Sequence, residues 1–338
     1  MKAVAFTQSQ TIDQAEALID LDLPIPEPGA HDLRVAVRAI AVNPVDTKVR
    51  NSALPQPGEP RVLGYDAVGI VDAVGAEVSA YQPGDRVWYA GNIARPGSNA
   101  EYQLVDERIV GTAPTQLSDV EAAALPLTAI TAWELLFDRL ELDRRDTRGQ
   151  SLLIVGAAGG VGSILIQLAK QRTDLQVIAT ASRPESRDWV TSLGADTVLD
   201  HSQPLDQAWQ AAGLKAVDYV ISLTHTDRHF DALIELLKPQ GKLALIDDPD
   251  LIDVRKLKRK SLSLHWELMF TRPLFGTDDM IRQQQLLNEV AQLVDAGHIR
   301  TTLAENLGPI NATNLKRAHA LLESQRTIGK LVLSGFAD

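Results

Sequence analysis

The chain has 338 residues and no cysteine. That absence rules out a disulfide framework, a thiolate zinc site, an iron–sulfur cluster and a cysteine nucleophile. Any catalysis must use oxygen and nitrogen groups or a borrowed cofactor. Positive charge is also scarce: 33 Lys and Arg stand against 44 Asp and Glu, a formal net charge of −11. Affinity for a nucleic-acid backbone comes mainly from Lys and Arg on its phosphates, so no nucleic-acid partner is expected. Long apolar runs are missing as well. The stretch 3–6 is too short for the hydrophobic region of a signal peptide. The stretch 152–169 is long enough by count to span a membrane but is broken by Gly156, Gly159, Gly160, Gly162, Ser163 and Gln167. A soluble, cytoplasmic chain with no membrane partner is expected.

What is present suggests two domains or one large one, with ample material for a core. The first 110 residues or so hold short runs rich in Val, Ile or aromatics at 2–6, 33–42, 68–74, 86–89 and 101–105. They are separated by Pro24-Ile25-Pro26-Glu27-Pro28-Gly29, Pro55-Gln56-Pro57-Gly58, Pro83-Gly84-Asp85 and Pro96-Gly97-Ser98. Proline presets φ and glycine supplies positive φ, so these read as turns in a barrel-like or irregular β domain. Ser118 with Glu121 three residues later predicts a helix start, and a helical region over 119–140 interrupted near Pro126.

From residue 150 strands and helices alternate. Strands are predicted at 151–156, 176–181, 197–200, 217–223, 242–247 and 261–266, with helices at 162–171, 186–193 and 228–237 between them. That pattern predicts an α/β fold, a doubly wound parallel sheet of two mononucleotide-binding halves. The tail holds helices at 279–296 and 311–323 and a strand at 330–333. It is too small to fold alone and must pack back onto one of the domains.

The first of these strands runs into Gly156-Ala157-Ala158-Gly159-Gly160-Val161-Gly162 and then directly into a helix. A dinucleotide site needs a tight turn, close backbone approach to a pyrophosphate and close packing of helix on strand, and glycine serves all three. Read as Ala157-x-Gly159-x-x-Gly162, the loop has alanine where the fingerprint has its first glycine. About 20 residues on, a carboxylate would bind the adenosine ribose and repel a 2′-phosphate. Here the second strand ends in Thr180-Ala181-Ser182-Arg183 with Arg187 following. Arginines and a small hydroxyl suit a phosphate, which favours NADPH.

The loop, together with Asn43-Pro44-Val45-Asp46, Gly64-Tyr65-Asp66-Ala67-Val68-Gly69, Pro83-Gly84-Asp85-Arg86-Val87 and the stretch Leu127 to Trp133, resembles the medium-chain dehydrogenase/reductase superfamily. More narrowly it is similar to the quinone oxidoreductase branch, including zinc-type alcohol dehydrogenase-like proteins. The resemblance implies a Rossmann NADP-binding domain at 125–266, inserted in a GroES-like, β-rich catalytic domain made of 1–124 and 267–338. It also implies a homodimer. Zinc-dependent members place Cys where Asn43 stands, a His-Glu pair where Tyr65-Asp66 stands and four Cys near 90–105; none of these is present. By that template no metal site is left. His225 and His229 are four apart but have no third ligand, Asp247, Asp248, Asp250 and Asp253 read as a solvated turn, and the basic run 255–260 as a solvated helix face.

Without zinc to polarise a carbonyl, the accessible acceptors are already electrophilic: quinones and α,β-unsaturated carbonyl compounds. Hydride from NADPH leaves an enolate or hydroquinone anion, which one or two hydrogen-bond donors hold. The expected catalytic residues are Asn43 lining the pocket, Tyr65 as a donor, and Lys48, which stands where related reductases have Tyr and donates to the oxyanion or supplies a proton. By resemblance Thr128 and Thr131 flank the nicotinamide riboside, Ser222, Leu223 and Ile246 face the cofactor, and Lys330 closes over it. Two alternatives stay open: an alcohol dehydrogenase with an atypical metal site, and an NADPH-binding sensor without turnover.

Overall fold

The structure, a computed structural model, describes residues 1–52 and 59–336; the turn predicted at Pro55-Gln56-Pro57-Gly58 lies outside them. The chain forms two compact units, Met1–Ile130 with Phe270–Asp338, and Thr131–Met269. The sequence reading cuts the chain a few residues earlier, at 124/125 and 266/267.

The first unit is built on a seven-stranded sheet. Its spatial order is Leu303–Asn306, Lys330–Ser334, Asp32–Ala41, Ala67–Val74, Arg86–Tyr89 and Val110–Thr112, with Tyr102–Asp106 also paired to Asp32–Ala41. The long strand buries Leu33, Val35, Val37 and Ala39 on one side, the period of two that a half-covered sheet requires. Register shifts at Arg34/Val35 and Val37/Ala39 bend it against its neighbour, so the irregularity suggested by the turn spacing is real. The tail returns to this unit: Val332, Leu333 and Ser334 pair antiparallel with Ala41, Ile40 and Ala39.

A second, three-stranded sheet combines Ile19–Asp22, Lys2–Phe6 and Arg61–Val62. Helix Pro44–Ser52 follows the long strand, and helix Ala312–Glu323 starts on Asn311, whose side chain accepts from the Asn314 N–H at 2.8 Å. Fully buried Arg50 on the first helix pairs with Glu323 on the second. His319 is also fully buried, and neither of its ring nitrogens has a hydrogen-bond partner among the described residues.

The second unit is a six-stranded sheet in which every neighbouring pair is parallel. The order is Thr197–Leu199, Gln176–Thr180, Ser151–Val155, Val217–Ser222, Leu237–Leu245 and Ser263–Trp266. In chain order this is 3-2-1-4-5-6, the doubly wound arrangement. Leu153, Val155, Ile178, Val220, Leu243 and Leu245 pack with Phe230 and Leu233 of helix Thr226–Leu236 in one core. Strand Leu237–Leu245 begins before the predicted 242 because Leu237 pairs with Val217; regular pairing resumes only at Lys242 opposite Tyr219.

The predicted helix over 119–140 is three pieces, Asp119–Ala123, Pro126–Trp133 and a π-helical stretch Glu134–Arg139. Its start is a capping box: Ser118 Oγ accepts from Glu121 N–H, and the Glu121 carboxylate accepts from Ser118 N–H at 2.9 Å. Among the described residues no helix is long and apolar enough to cross a membrane.

Candidate functional site

In the second unit, Gly156 leaves the first strand at φ 79°, the left-handed region that favours glycine. Its N–H donates to Thr180 Oγ1 at 3.0 Å, and the Ala157 N–H donates to the Thr180 carbonyl at 3.3 Å. Gly159 caps helix Gly160–Arg172 with extended backbone. A Cβ on Gly159 would meet nothing nearer than the Gly156 carbonyl at 3.8 Å, so this face is open to close approach. A Cβ on Gly162 would fall 2.3 Å from the Ala157 carbonyl oxygen, so only glycine lets the helix pack this tightly on the loop. The first N–H groups of the helix, from Gly160, Val161 and Gly162, have no carbonyl to meet within it. Partly exposed Gly160 and Val161 thus present backbone donors at the positive end of a helix, which suits a pyrophosphate.

The second strand ends at fully buried Thr180. After it, partly exposed Ser182 and Arg183 lead into helix Pro184–Ser192, where Ser186 Oγ accepts from Arg183 N–H at 3.1 Å and donates to the Arg183 carbonyl at 2.8 Å. Arg187, partly exposed on this helix, faces Asp200 and helps hold that carboxyl below its usual range, after the larger effects of Ser202. The loop residues and the arginines named from the sequence are therefore brought to one end of one parallel sheet.

Other expected cofactor residues stand differently. Ser222 is fully buried and its Oγ lies 2.7 Å from Thr226 Oγ1; the one Thr226 hydroxyl proton goes to Asp247, so Ser222 donates to Thr226 and its hydroxyl is spent inside the unit. Thr226 in turn donates its N–H to Asp247 at 2.8 Å, which makes Asp247 a helix-start anchor rather than part of a solvated turn. Leu223 and Ile246 are partly exposed, and Leu223 N–H continues the sheet to the Val155 carbonyl at 3.1 Å. Thr131, at the start of this unit, is buried. The basic run forms a 3₁₀ segment, Val254–Lys260, in which Arg255 pairs with Asp253 and Lys260 donates to the Ile234, Glu235 and Leu237 carbonyls closing helix Thr226–Leu236.

The first unit holds a buried charge cluster around Asn43. Lys330 Nζ donates to Asp66 Oδ2 at 2.8 Å, to the Val42 carbonyl at 3.0 Å and to Asn43 Oδ1. Asn43 Nδ2 donates to the same Asp66 oxygen at 2.8 Å, and Leu127 N–H donates to its other oxygen at 2.7 Å. Asp46, also fully buried, accepts from the Asn43 N–H at 2.7 Å and the Gly64 N–H at 3.0 Å. Burial pushes the Asp46 carboxyl up to about 7, against those two bonds and the Lys330 charge. Burial also pushes Asp66 upward, with Lys330 as the main opposing charge.

This cluster corrects three expectations. The Lys330 ammonium does not wait for a cofactor; a fully buried Asp66 needs a counter-ion, and Lys330 supplies it. Asn43 has both ends of its amide committed, so it positions Lys330 and Asp66 instead of lining a pocket. Lys48 is exposed on helix Pro44–Ser52, so the burial on which a proton-donor role was argued is absent. Tyr65 is fully buried, its ring edge-on to Phe270 at 5.3 Å, and its hydroxyl is driven up to about 12 by burial and then by Asp46. Thr128 is buried with its hydroxyl on the Leu125 carbonyl at 3.0 Å.

A family model for the alcohol dehydrogenase GroES-like domain matches residues 29–115, and one for zinc-binding dehydrogenase matches 193–333. The zinc-type alcohol dehydrogenase-like protein of Staphylococcus epidermidis is 41% identical over 337 residues, 99% of each chain. The chain belongs to the medium-chain dehydrogenase/reductase superfamily. It is an oxidoreductase of that superfamily, and a quinone oxidoreductase of Pseudomonas aeruginosa is 31% identical to it over 91% of this chain and 92% of that one. Among solved structures, a putative zinc-dependent alcohol dehydrogenase protein from Rhizobium etli is 55% identical over 100% of this chain and 99% of that one, with a TM-score of 0.96. Mycobacterial Rv1454c, solved with NADPH, is 28% identical over 99% and 100%, with a TM-score of 0.84.

Membership of this superfamily raises the question of zinc, and the residues present do not fit it. At the template positions Asn43 offers only an amide, Tyr65 a phenol, and Asp66 a carboxylate already bound to an ammonium. Among the described residues no group of three or more His, Asp or Glu side chains is arranged to hold a metal ion.

Proposed function

We propose that the chain is an NADPH-dependent, zinc-independent reductase of quinones or α,β-unsaturated carbonyl compounds. The observation that carries the reading is the glycine loop joined to a strand end that offers Arg183 and Arg187 and no carboxylate. Gly156 to Gly162 would hold the pyrophosphate, and Ser182 with the two arginines the ribose phosphate. When bound, NADPH supplies hydride. The acceptor's electron pair moves onto its oxygen as an enolate or hydroquinone anion, and water returns the proton. A positioned donor at that oxygen contributes about 3–4 kcal/mol. Asn43, committed to Lys330 and Asp66, does not take that role.

The reading calls for a cytoplasmic location and a small electrophilic substrate. We also infer a homodimer: Ser263–Trp266 is an edge strand, and Trp266 and Leu268 are each 51% exposed beside it. The test of function is cofactor consumption across quinones, 2-alkenals and enones, with and without added zinc. Oxidation of NADPH in the absence of metal is the expected result. Near-stoichiometric zinc in protein purified without chelator, with activity lost on its removal, would point instead to an alcohol dehydrogenase. Cofactor binding with no turnover on any acceptor would point to a sensor.

A further inference from the structure

Thr180 lies at the junction of the cofactor loop and a histidine that no role has been given. Its hydroxyl accepts from the Gly156 N–H at 3.0 Å and lies 3.0 Å from Nδ1 of His201. His201 follows strand Thr197–Leu199 and is partly buried, whereas Thr180 is fully buried. A hydroxyl has one proton to give and two lone pairs. With Gly156 donating into one lone pair, the proton has a single acceptor in reach among the described residues, His201 Nδ1. A buried hydroxyl without an acceptor is costly, so the bond runs from Thr180 to a neutral imidazole. An imidazolium donates at both nitrogens. Once protonated, His201 would push a proton at Thr180, and the threonine proton would have nowhere to bond.

We propose that His201 is a positioning residue: neutral, it fixes Thr180 and through it Gly156 in the cofactor-binding shape, and protonated, it releases the loop. The inference rests on the nicotinamide cofactor proposed above. The charged groups around the ring set when the change occurs. Asp200 beside it favours the proton. Burial, His225 and Arg228 oppose it, with burial the largest effect, so His201 is held below the usual histidine range. His229 on the same helix as Arg228 also feels His201, and Arg187 on helix Pro184–Ser192 partly neutralises Asp200. The lock is therefore closed at neutral pH and opens in acid.

The experiment has two readouts on wild type, His201→Asn, His201→Leu and Thr180→Val. The first is affinity for NAD⁺ and NADP⁺ by calorimetry from pH 7.5 to 5, with NAD⁺ decisive because it has no 2′-phosphate to titrate. Loss of one well-formed hydrogen bond corresponds to about a tenfold change. Wild type should lose about that much affinity in acid. His201→Asn, whose oxygen still accepts but takes no proton, should bind like wild type at pH 7.5 and stay level. His201→Leu and Thr180→Val should be weak throughout. The second readout is amide exchange at Gly156 and Ala157 in cofactor-free protein at one pH, expected to be about tenfold faster in His201→Leu than in wild type or His201→Asn. Equal exchange rates, or a wild-type pH profile retained in His201→Asn, would overturn the lock even if cofactor binds. No binding by wild type with the exchange difference intact would overturn the cofactor reading and leave the lock standing.

Discussion

Lys330 and Asp66, 264 residues apart in sequence, form an ion pair of 2.8 Å in which the lysine side chain is 4% exposed and the aspartate 0%. At Asp66, one of the template positions for a metal ligand, this chain carries a carboxylate held by an internal cation, Lys330. Breaking a buried pair from one side leaves an uncompensated charge, which costs about 3–5 kcal/mol. Lys330→Met should lower the urea-unfolding free energy by that amount, and adding Asp66→Asn should recover part of it. A loss below about 1 kcal/mol would mean that the pair is not closed in solution.

Buried His319 gives a pH prediction. Burial, then the charge of Arg50, holds it down to about 3, below its unfolded value near 6.5. The unfolded chain therefore binds the extra proton first, and stability falls as pH drops below about 6.5. Between pH 7 and pH 5 the loss from this residue is about 2 kcal/mol. His319→Leu should flatten that part of the stability curve and, by removing two unbonded ring nitrogens, should not destabilise at pH 7. An unchanged slope in the variant would show that His319 is not the titrating group.

For the cofactor, Arg183→Ala should weaken NADPH by about ten- to a hundredfold, the range for a charge-assisted bond to phosphate. NADH should change by less than about threefold. Equal losses for the two cofactors, measured by fluorescence titration, would remove Arg183 from the ribose phosphate.

Gly162→Ala puts a methyl group 2.3 Å from the Ala157 carbonyl oxygen, so helix and loop must separate. Cofactor binding should be lost before the fold is, seen as a missing fluorescence signal in a protein with a native circular dichroism spectrum. Gly159→Ala, where the nearest atom is 3.8 Å away, should retain the fold and lose affinity only through contact with the bound ligand.

Much of this was legible in the sequence for definable reasons. The inner strands of the doubly wound sheet are buried on both faces and read as continuous apolar runs, and the glycine loop announces itself by its place between strand and helix. Ile19–Asp22 and Leu303–Asn306 escaped because they are polar, partly exposed strands with no buried alternation to detect. The charge cluster escaped because its members carry no local pattern: Asn43, Asp66 and Lys330 meet only when the tail strand joins the sheet. The place of Lys330 after Gly329 suggests a cofactor contact, since nothing in one sequence pairs it with a particular aspartate. The contact of His201 with Thr180, 21 residues away, likewise has no local pattern.

The path of the chain also sets an order of assembly. Thr131–Met269 is one continuous segment and has all of its strands before residue 270 is made, whereas the seven-stranded sheet of the other unit waits for Lys330–Ser334. On the ribosome the inserted unit can be complete while its host still has an open edge at Asp32–Ala41. Asp66 would then sit without its counter-ion until nearly the last residues emerge. Nascent chains stalled short of residue 330 should therefore resist protease across 131–269 and remain cleavable on either side.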